Sequence, residues 1–431
     1  MQDQFRIGWR GEQVRLARRE EMFRWLGFFG LCLTTAGLVT SPGLMSIGIG
    51  LFTVSALCIL PPGEHLRRFL RNPPAMLFSL LLLLQIVSGI WTREIRAEVW
   101  QEEVIIKLPL LAGMYAWAAL GPFSVKQVRI VLLILLLSTC FVGSGTLMEY
   151  IFNAEEMNHR VEISKEIEVW LGCNHIYFSV VMAFSILGGM WSLMQEGYLI
   201  HRHERWVVIA ILLLCFFEMH VLTTRTGLVG LYLCILILGW FQLIKRKKIL
   251  LAVLLAVALA SMPVIGYYGI DSFQKRVENT KMDVTEYFQG KDPNYLSIGS
   301  RIESWKTAYH LWQKHPVLGV GMADLLPDMT DQYVEDGTKL CPENFLQPHN
   351  QFLQMAAGCG ILGVTILLLA WFYPLVVRGW PKDLIFWAFW LNYSLAMMGE
   401  SMMERQVGVS FLVVGFMLTL GVGRVKQAAT N

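Results

Sequence analysis

The sequence predicts an all-α, polytopic membrane protein with about 12 transmembrane helices and a large periplasmic loop that contains an amphipathic helix. Composition is the first ground. Of 431 residues, 55% are hydrophobic and 16% charged, with a mean hydropathy of +0.49, whereas an average soluble domain has about 25% charged residues. Apolar runs are the second, because stretches of roughly 18 or more residues bounded by charges or turn signals match a hydrocarbon core about 30 Å thick. Charge placement is the third. With both termini and alternate links on the cytoplasmic side, that side holds 21 of the 36 Lys and Arg, the opposite short links hold 7 and the long loop holds 8. Short cytoplasmic loops carry this bias.

In chain order the runs centre on Gly30, Gly50, Leu82, Met114, Leu136, Ala183, Leu213, Leu233, Leu255, Ile366, Trp390 and Val414. The fourth is interrupted by Pro109 and weakened by Gly113. Six Arg from Arg6 to Arg24 are interleaved with acids, and the run they precede is long enough to stay in the bilayer, so no cleavable leader is expected. No internal repeat or Pro/Gly-rich linker divides the chain. The expected organisation is one transmembrane domain over 1–431, with residues 271–350 inserted between the ninth and tenth runs. The net charge of +3 comes mainly from cytoplasmic anchors, which indicates anionic lipid headgroups as partners and no nucleic acid. Among eight Cys, Cys32, Cys58, Cys140, Cys215, Cys234 and Cys359 fall in or beside runs as small packing residues. Cys173 and Cys341 lie near the outer face, where pairing and free thiols are both open.

The long loop is where chemistry is expected, because loops beyond about 15 residues tend to be functional or disordered. Ser300 and Glu303 stand as a capping box, and Ile302, Trp305, Tyr309 and Trp312 follow at helical spacing, which predicts an amphipathic helix over 300–315 that Pro316 stops. With 12 acids against 8 bases, the loop carries −4, so a base that functions there works by position.

Arg225 sits in the very short link Thr223-Thr224-Arg225-Thr226-Gly227 between the seventh and eighth runs. An Arg at such depth needs compensation. It is either an interfacial anchor paired with Glu218, two helical turns back, or an anion clamp for a lipid phosphate assisted by Thr224 and Thr226. Arg301 directly follows the expected N-cap, where a cation opposes the helix dipole; it either pairs with Asp292 or Glu303, or joins the first-turn N–H groups in a phosphate pocket. His349, between Pro348 and Asn350 where the loop re-enters the membrane, is either a hydrogen-bonded structural residue or a proton carrier near neutral pH. Gly358, Gly360 and Gly363 follow it, allowing close approach of backbones or a lipid chain. Glu400 and Glu404, with Arg405, crowd the outer end of the eleventh run, the carboxylates at i and i+4 on one face if the helix persists. They read as a salt-bridged turn or as groups that position an acceptor. Asn174-His175 opens the sixth run on the same side. No Asp-x-Asp, His-x-x-x-His or Cys-x-x-Cys pattern supports a metal or another cofactor.

Together these segments resemble the bacterial O-antigen ligase and O-antigen polymerase superfamily, polytopic transferases of undecaprenyl-diphosphate-linked glycans. The resemblance rests on Thr223-Thr224-Arg225-Thr226-Gly227; on Gly299-Ser300-Arg301 with Trp305, Ala308 and His315-Pro316-Val317-Leu318-Gly319-Val320-Gly321; and on Pro348-His349-Asn350-Gln351-Phe352-Leu353 followed by Gly358 and Ile361-Leu362-Gly363. It runs from about residue 210 to 375, with Ala357 standing where a Glu is expected. The segments His175–Ser179 and Glu400–Gln406 resemble one branch of that group. The resemblance implies a metal-independent, inverting transfer at the periplasmic face of the bacterial inner membrane, from undecaprenyl diphosphate to lipid A core or to another lipid-linked glycan. Arg225 and Arg301 then meet the diphosphate and His349 acts as base, with Asn350, Thr224, Thr226, His175, Glu400, Glu404 and Arg405 around the substrates. A transporter or flippase is the rival class; it places its unusual polar groups at the midplane, whereas here they lie at outer run ends.

Overall fold

A computed structural model describes residues 2–59, 62–92, 97–162, 165–197, 199–377 and 383–430. Among them there is no strand. The helices are α1 (Gln2–Thr40), α2 (Pro42–Ile59), α3 (Pro62–Leu70), α4 (Pro73–Ser88), α5 (Ala97–Lys107), α6 (Pro109–Leu120), α7 (Val125–Phe152), α8 (Ala154–Glu162) and α9 (His175–Leu193). They continue as α10 (Glu204–Leu222), α11 (Arg225–Lys245), α12 (Ile249–Gly269), α13 (Asp271–Phe288), α14 (Ser297–Lys314), α15 (Leu325–Glu335), α16 (Gln351–Val376), α17 (Leu384–Gly399) and α18 (Gln406–Thr430).

Among the described residues, nine helices are long and apolar enough to cross a membrane, and three shorter apolar helices cover Pro73–Ser88, Leu384–Gly399 and Gln406–Thr419. Each of the twelve run centres falls within one of these. Burial sorts them. The α9 window is 89% buried and forms the hub, packed by α7, α11 and α17, whereas only 11% of the α12 window is buried. Exposed Leu250, Leu254, Val257 and Ile265 on α12 suit contact with lipid tails, which accept apolar surface without penalty. Around α9 and α17, Phe184, Phe389 and Phe411 meet edge to face, contacts worth about 0.5–1.5 kcal/mol each beyond their buried area. Cys173 and Cys341 carry free thiols. Arg93, Arg96, Arg378 and Lys382, used in the charge count, lie outside the described residues.

One charge departs from the sequence reading. Lys107 is one of the seven bases counted in the opposite short links, yet it lies inside the span Trp100–Leu120 and is fully buried, its Nζ donating to Glu103 at 2.5 Å and to Glu404 at 2.6 Å. Two carboxylates compensate the ammonium, which is what permits a cation at that depth. Lys107→Met is therefore expected to destabilise the fold by about 3–5 kcal/mol, since it strands the buried Glu404 carboxylate. A lowered unfolding midpoint in detergent is the readout, and an unchanged midpoint contradicts it.

The 271–350 insertion is not one helix in a loop but three, α13, α14 and α15. The predicted helix forms, but it starts at Ser297 rather than Ser300. The capping box is absent because Ser300 Oγ donates to the Ser297 carbonyl, while Glu303 accepts from Tyr287 Oη at 2.6 Å and Lys306 Nζ at 3.0 Å. An acceptor from a neighbouring helix serves the start instead: Asp283 of α13 takes the Ile298 N–H at 3.4 Å. After α14, residues 316–321 lie along an interruption in α16. There Val320 N–H donates to the Ala357 carbonyl at 3.0 Å, Gly321 N–H to the Gly358 carbonyl at 2.9 Å, and Ile361 N–H to the Pro316 carbonyl at 2.8 Å. Gly360 makes this possible. Its φ is 61°, and a Cβ there would stand 2.2 Å from the Val317 carbonyl oxygen, so the glycines do bring backbones together. Ala357, where the resemblance leads one to expect Glu, is fully buried in this seam.

Candidate active site

Helix α10 ends at Leu222, and Thr223, with φ of 54°, turns the chain sharply into α11. Arg225 is the first residue of α11, and its guanidinium donates to Thr280 Oγ1 at 3.2 Å and Ser297 Oγ at 2.9 Å. It thus bonds both α13 and the start of α14. The considered pair with Glu218 does not form, because Glu218 instead accepts from Ser144 Oγ at 2.7 Å. Arg225 lies within electrostatic reach of Arg276, Glu166, Arg301 and Asp283.

Arg301 stands one turn along α14 from Ser297, so it is inside the helix and not beside its cap. Its Nη1 donates to the Gly399 carbonyl at 3.3 Å and its Nη2 lies 4.0 Å from Glu400 Oε2. His349 meets the same carboxylate, with Nδ1 3.0 Å from each Glu400 oxygen. Its Nε2 makes no hydrogen bond among the described residues. The His349 backbone sits at φ 45°, a sparsely populated region for a non-Gly residue that a surrounding structure must enforce. Ser304 Oγ of α14 reaches the preceding Pro348 carbonyl at 3.4 Å.

Glu400 ties these groups together because α17 stops at Gly399 and the next residue is extended, φ −154° and ψ 148°. Burial works to raise the Glu400 carboxyl, but the His349 hydrogen bond and the His349 and Arg301 charges together hold it below the usual carboxylate value. A depressed acid contributes stability that is present above its unfolded pKa, about 4.3, and fades as pH falls through the folded value. The melting-temperature gap between the wild type and Glu400→Gln is therefore expected to narrow as pH drops below about 4. A gap independent of pH would show that the carboxylate charge is unused.

His175 joins the cluster from α9, its Nε2 3.7 Å from Glu166 Oε1 and within reach of Arg276, Arg301 and Glu400. Other candidates do not converge. Asn350 is committed to structure: its Oδ1 caps α16 through Phe352 and Leu353 N–H at 3.0 and 3.1 Å, and its Nδ2 donates to the Met398 carbonyl at 3.0 Å. Glu404 does not share a face with Glu400, because residues 400–404 leave the helix for a 3-10 turn and Lys107 captures it. Arg405 follows at the surface. Thr224 is buried, with Oγ1 unbonded, and half-buried Thr226 shows no side-chain bond among the described residues.

Arg276 escaped the sequence reading. It is buried in α13, with Nη2 2.8 Å from Glu166 Oε2 and 3.0 Å from the Lys165 carbonyl, and Nε 3.4 Å from Thr223 Oγ1. Three guanidinium groups thus occupy the place where α10, α11, α13 and α14 meet. Beside them an apolar groove of about 780 Å³ runs between α11, α12 and α13, lined by Leu228, Val229, Tyr232 and Phe273, with Arg225 and Arg276 at its edge. Such a set can hold a diphosphate by charge and forked hydrogen bonds, while the Nε2 edge of His349 is open to a proton.

No curated protein matches the chain. Residues 208–368 match the family model described as O-antigen ligase. That segment contains Arg225, Arg276, Arg301 and His349, together with the three loop helices, and ends before Glu400. Over those residues the chain is similar to the O-antigen ligase family.

Proposed function

We propose that the chain is an inverting O-antigen ligase that moves a glycan from undecaprenyl diphosphate to a hydroxyl of lipid A core. The observation that carries this reading is the His349–Glu400 pair beside Arg301. A carboxylate on Nδ1 fixes the imidazole tautomer and orientation, leaving Nε2 as the base. The acceptor hydroxyl attacks the anomeric carbon of the donor sugar as Nε2 takes its proton. A new C–O bond forms, the bond to the diphosphate breaks with inversion, and the diphosphate leaves with its electron pair. Arg225, Arg276 and Arg301 meet the charge that builds there, so the reaction runs without a hard divalent cation. The apolar groove at Arg225 and Arg276 suits the polyprenyl tail.

The topology belongs to the same proposal: twelve spans, both termini cytoplasmic, and α13, α14 and α15 in the periplasm of the inner membrane, in keeping with the Lys and Arg bias. The test is purified protein in nanodiscs with a defined lipid-diphosphate glycan and either acceptor. Product on lipid A core is expected. Elongation on a second lipid-linked glycan makes it a polymerase, and transbilayer movement of a labelled donor without product overturns the transferase reading.

A further inference from the structure

Two cysteines and a carboxylate meet within the helix pair α7 and α10, away from the arginine cluster. Cys215 and Glu218 stand at i and i+3 on α10, hence on one face, while Cys140 and Ser144 stand at i and i+4 on α7. Cys215 and Glu218 are fully buried and Cys140 is half-buried. One atom from each of Cys140, Cys215 and Glu218 falls within 4.8 Å of the other two. The sequence alone suggested only packing thiols here.

Glu218 makes the cluster more than packing. Its Oε1 accepts from Ser144 Oγ at 2.7 Å, but Oε2 is buried with no partner, and Arg225, the cation considered for it, is bonded to Thr280 and Ser297 instead. A buried carboxylate without a compensating charge is costly. The neighbouring helix also leaves room for it: a Cβ on Gly143 would stand 2.3 Å from Oε2.

We propose that Cys140, Cys215 and Glu218 bind a thiophilic divalent cation of the zinc class between α7 and α10. Two sulfurs and one oxygen are a donor set that such an ion accepts, with Ser144 Oγ or a water as the fourth. Bond lengths of about 2.3 Å to sulfur and about 2.0–2.2 Å to oxygen bring tetrahedral ligands to within roughly 4 Å of one another, and the three atoms here already lie within 4.8 Å. On binding, each thiol releases its proton to water and no electron is transferred. A disulfide, by contrast, would leave Oε2 alone. Glu218 is four residues from the end of α10 at Leu222, about 6 Å along the axis, so the ion ties α7 to the helix that leads into Arg225. The site does not depend on the glycosyltransferase reading.

The test uses the full chain in nanodiscs, stripped with a chelator and titrated with Co²⁺. One ion per chain is expected, with thiolate-to-cobalt charge-transfer absorption and tetrahedral ligand-field bands that Zn²⁺ displaces. Cys140→Ser and Cys215→Ser should each abolish the charge-transfer bands, and Glu218→Gln should weaken binding about tenfold or more. In the unmodified chain, Zn²⁺ should protect the half-buried Cys140 from alkylation while the exposed Cys341 continues to react. Equal absorption in the Cys140→Ser/Cys215→Ser protein, no protection by Zn²⁺, or a Cys140–Cys215 disulfide in the untreated protein overturns the site. Unchanged affinity in Glu218→Gln overturns the carboxylate's part in it.

Discussion

His349→Ala is expected to slow glycan transfer by about 10²–10⁴-fold, the range a general base contributes, in a protein that still folds and stays in the membrane. Folding should persist because the His349 side chain is 25% exposed and Arg301 remains beside Glu400 when the imidazole is gone. Ala at φ 45° carries its own backbone penalty, so a second replacement separates chemistry from strain. Asn tolerates left-handed backbone and lacks a base at neutral pH. Loss of single-turnover transfer in both His349→Ala and His349→Asn assigns the effect to the imidazole. Near-normal turnover in His349→Asn would make the residue a hinge only. Glu400→Gln probes the other half of the pair. An amide can donate to Nδ1 and favour the wrong tautomer, a change that removes about 10⁴ in the serine-protease triad, so the rate should fall while acceptor binding holds.

Much of this was legible because hydrocarbon imposes a strong pattern on sequence. Every apolar run centre lies in an apolar helix, and Lys107, counted in a link but buried within the span Trp100–Leu120, is neutralised by carboxylates that lie four and 297 positions away. Only the nearer could be weighed from sequence. The loop was harder for a specific reason. Helix α13 buries Ser272, Arg276 and Asp283, so its inward face is polar, and a search for apolar periodicity passes over it along with Arg276. Helix α15 did carry the usual signal, with Leu325, Met329 and Tyr333 four residues apart, and it went unread among the loop's many acids. Glu400 was noticed for its composition, but its partnership with His349 depends on where α17 ends. Gly399 and an extended residue 400 decide that, and they split it from Glu404. The start of α14 turned on Asp283, an acceptor supplied by another helix, where a local capping rule looks only three residues ahead.

Arg225→Ala is expected to lower transfer by about 10²–10³-fold, comparable to removing one preorganised donor from a developing anion. The size of that loss alone does not say what Arg225 does, since its guanidinium also joins α11 to Thr280 of α13 and Ser297 of α14. A clamp between helices and a charge for the diphosphate make different demands. The Thr280→Ala/Ser297→Ala protein loses both protein partners and keeps the charge. If Arg225 serves the diphosphate, this double variant retains transfer within a fewfold of wild type, because the freed fork still finds phosphate oxygens. If it is only a clamp, the double variant falls as far as Arg225→Ala. Arg225→Lys sharpens the contrast: an ammonium keeps the charge but cannot span two acceptors in a fixed plane. Its loss should appear mainly in turnover, with donor affinity less affected, because the demand for the fork rises as the sugar–diphosphate bond breaks. Arg301→Lys should behave alike, since Nη1 of Arg301 donates to Gly399 while Nη2 stands 4.0 Å from Glu400. Full activity in both lysine variants would leave the arginine cluster an electrostatic field without bidentate recognition.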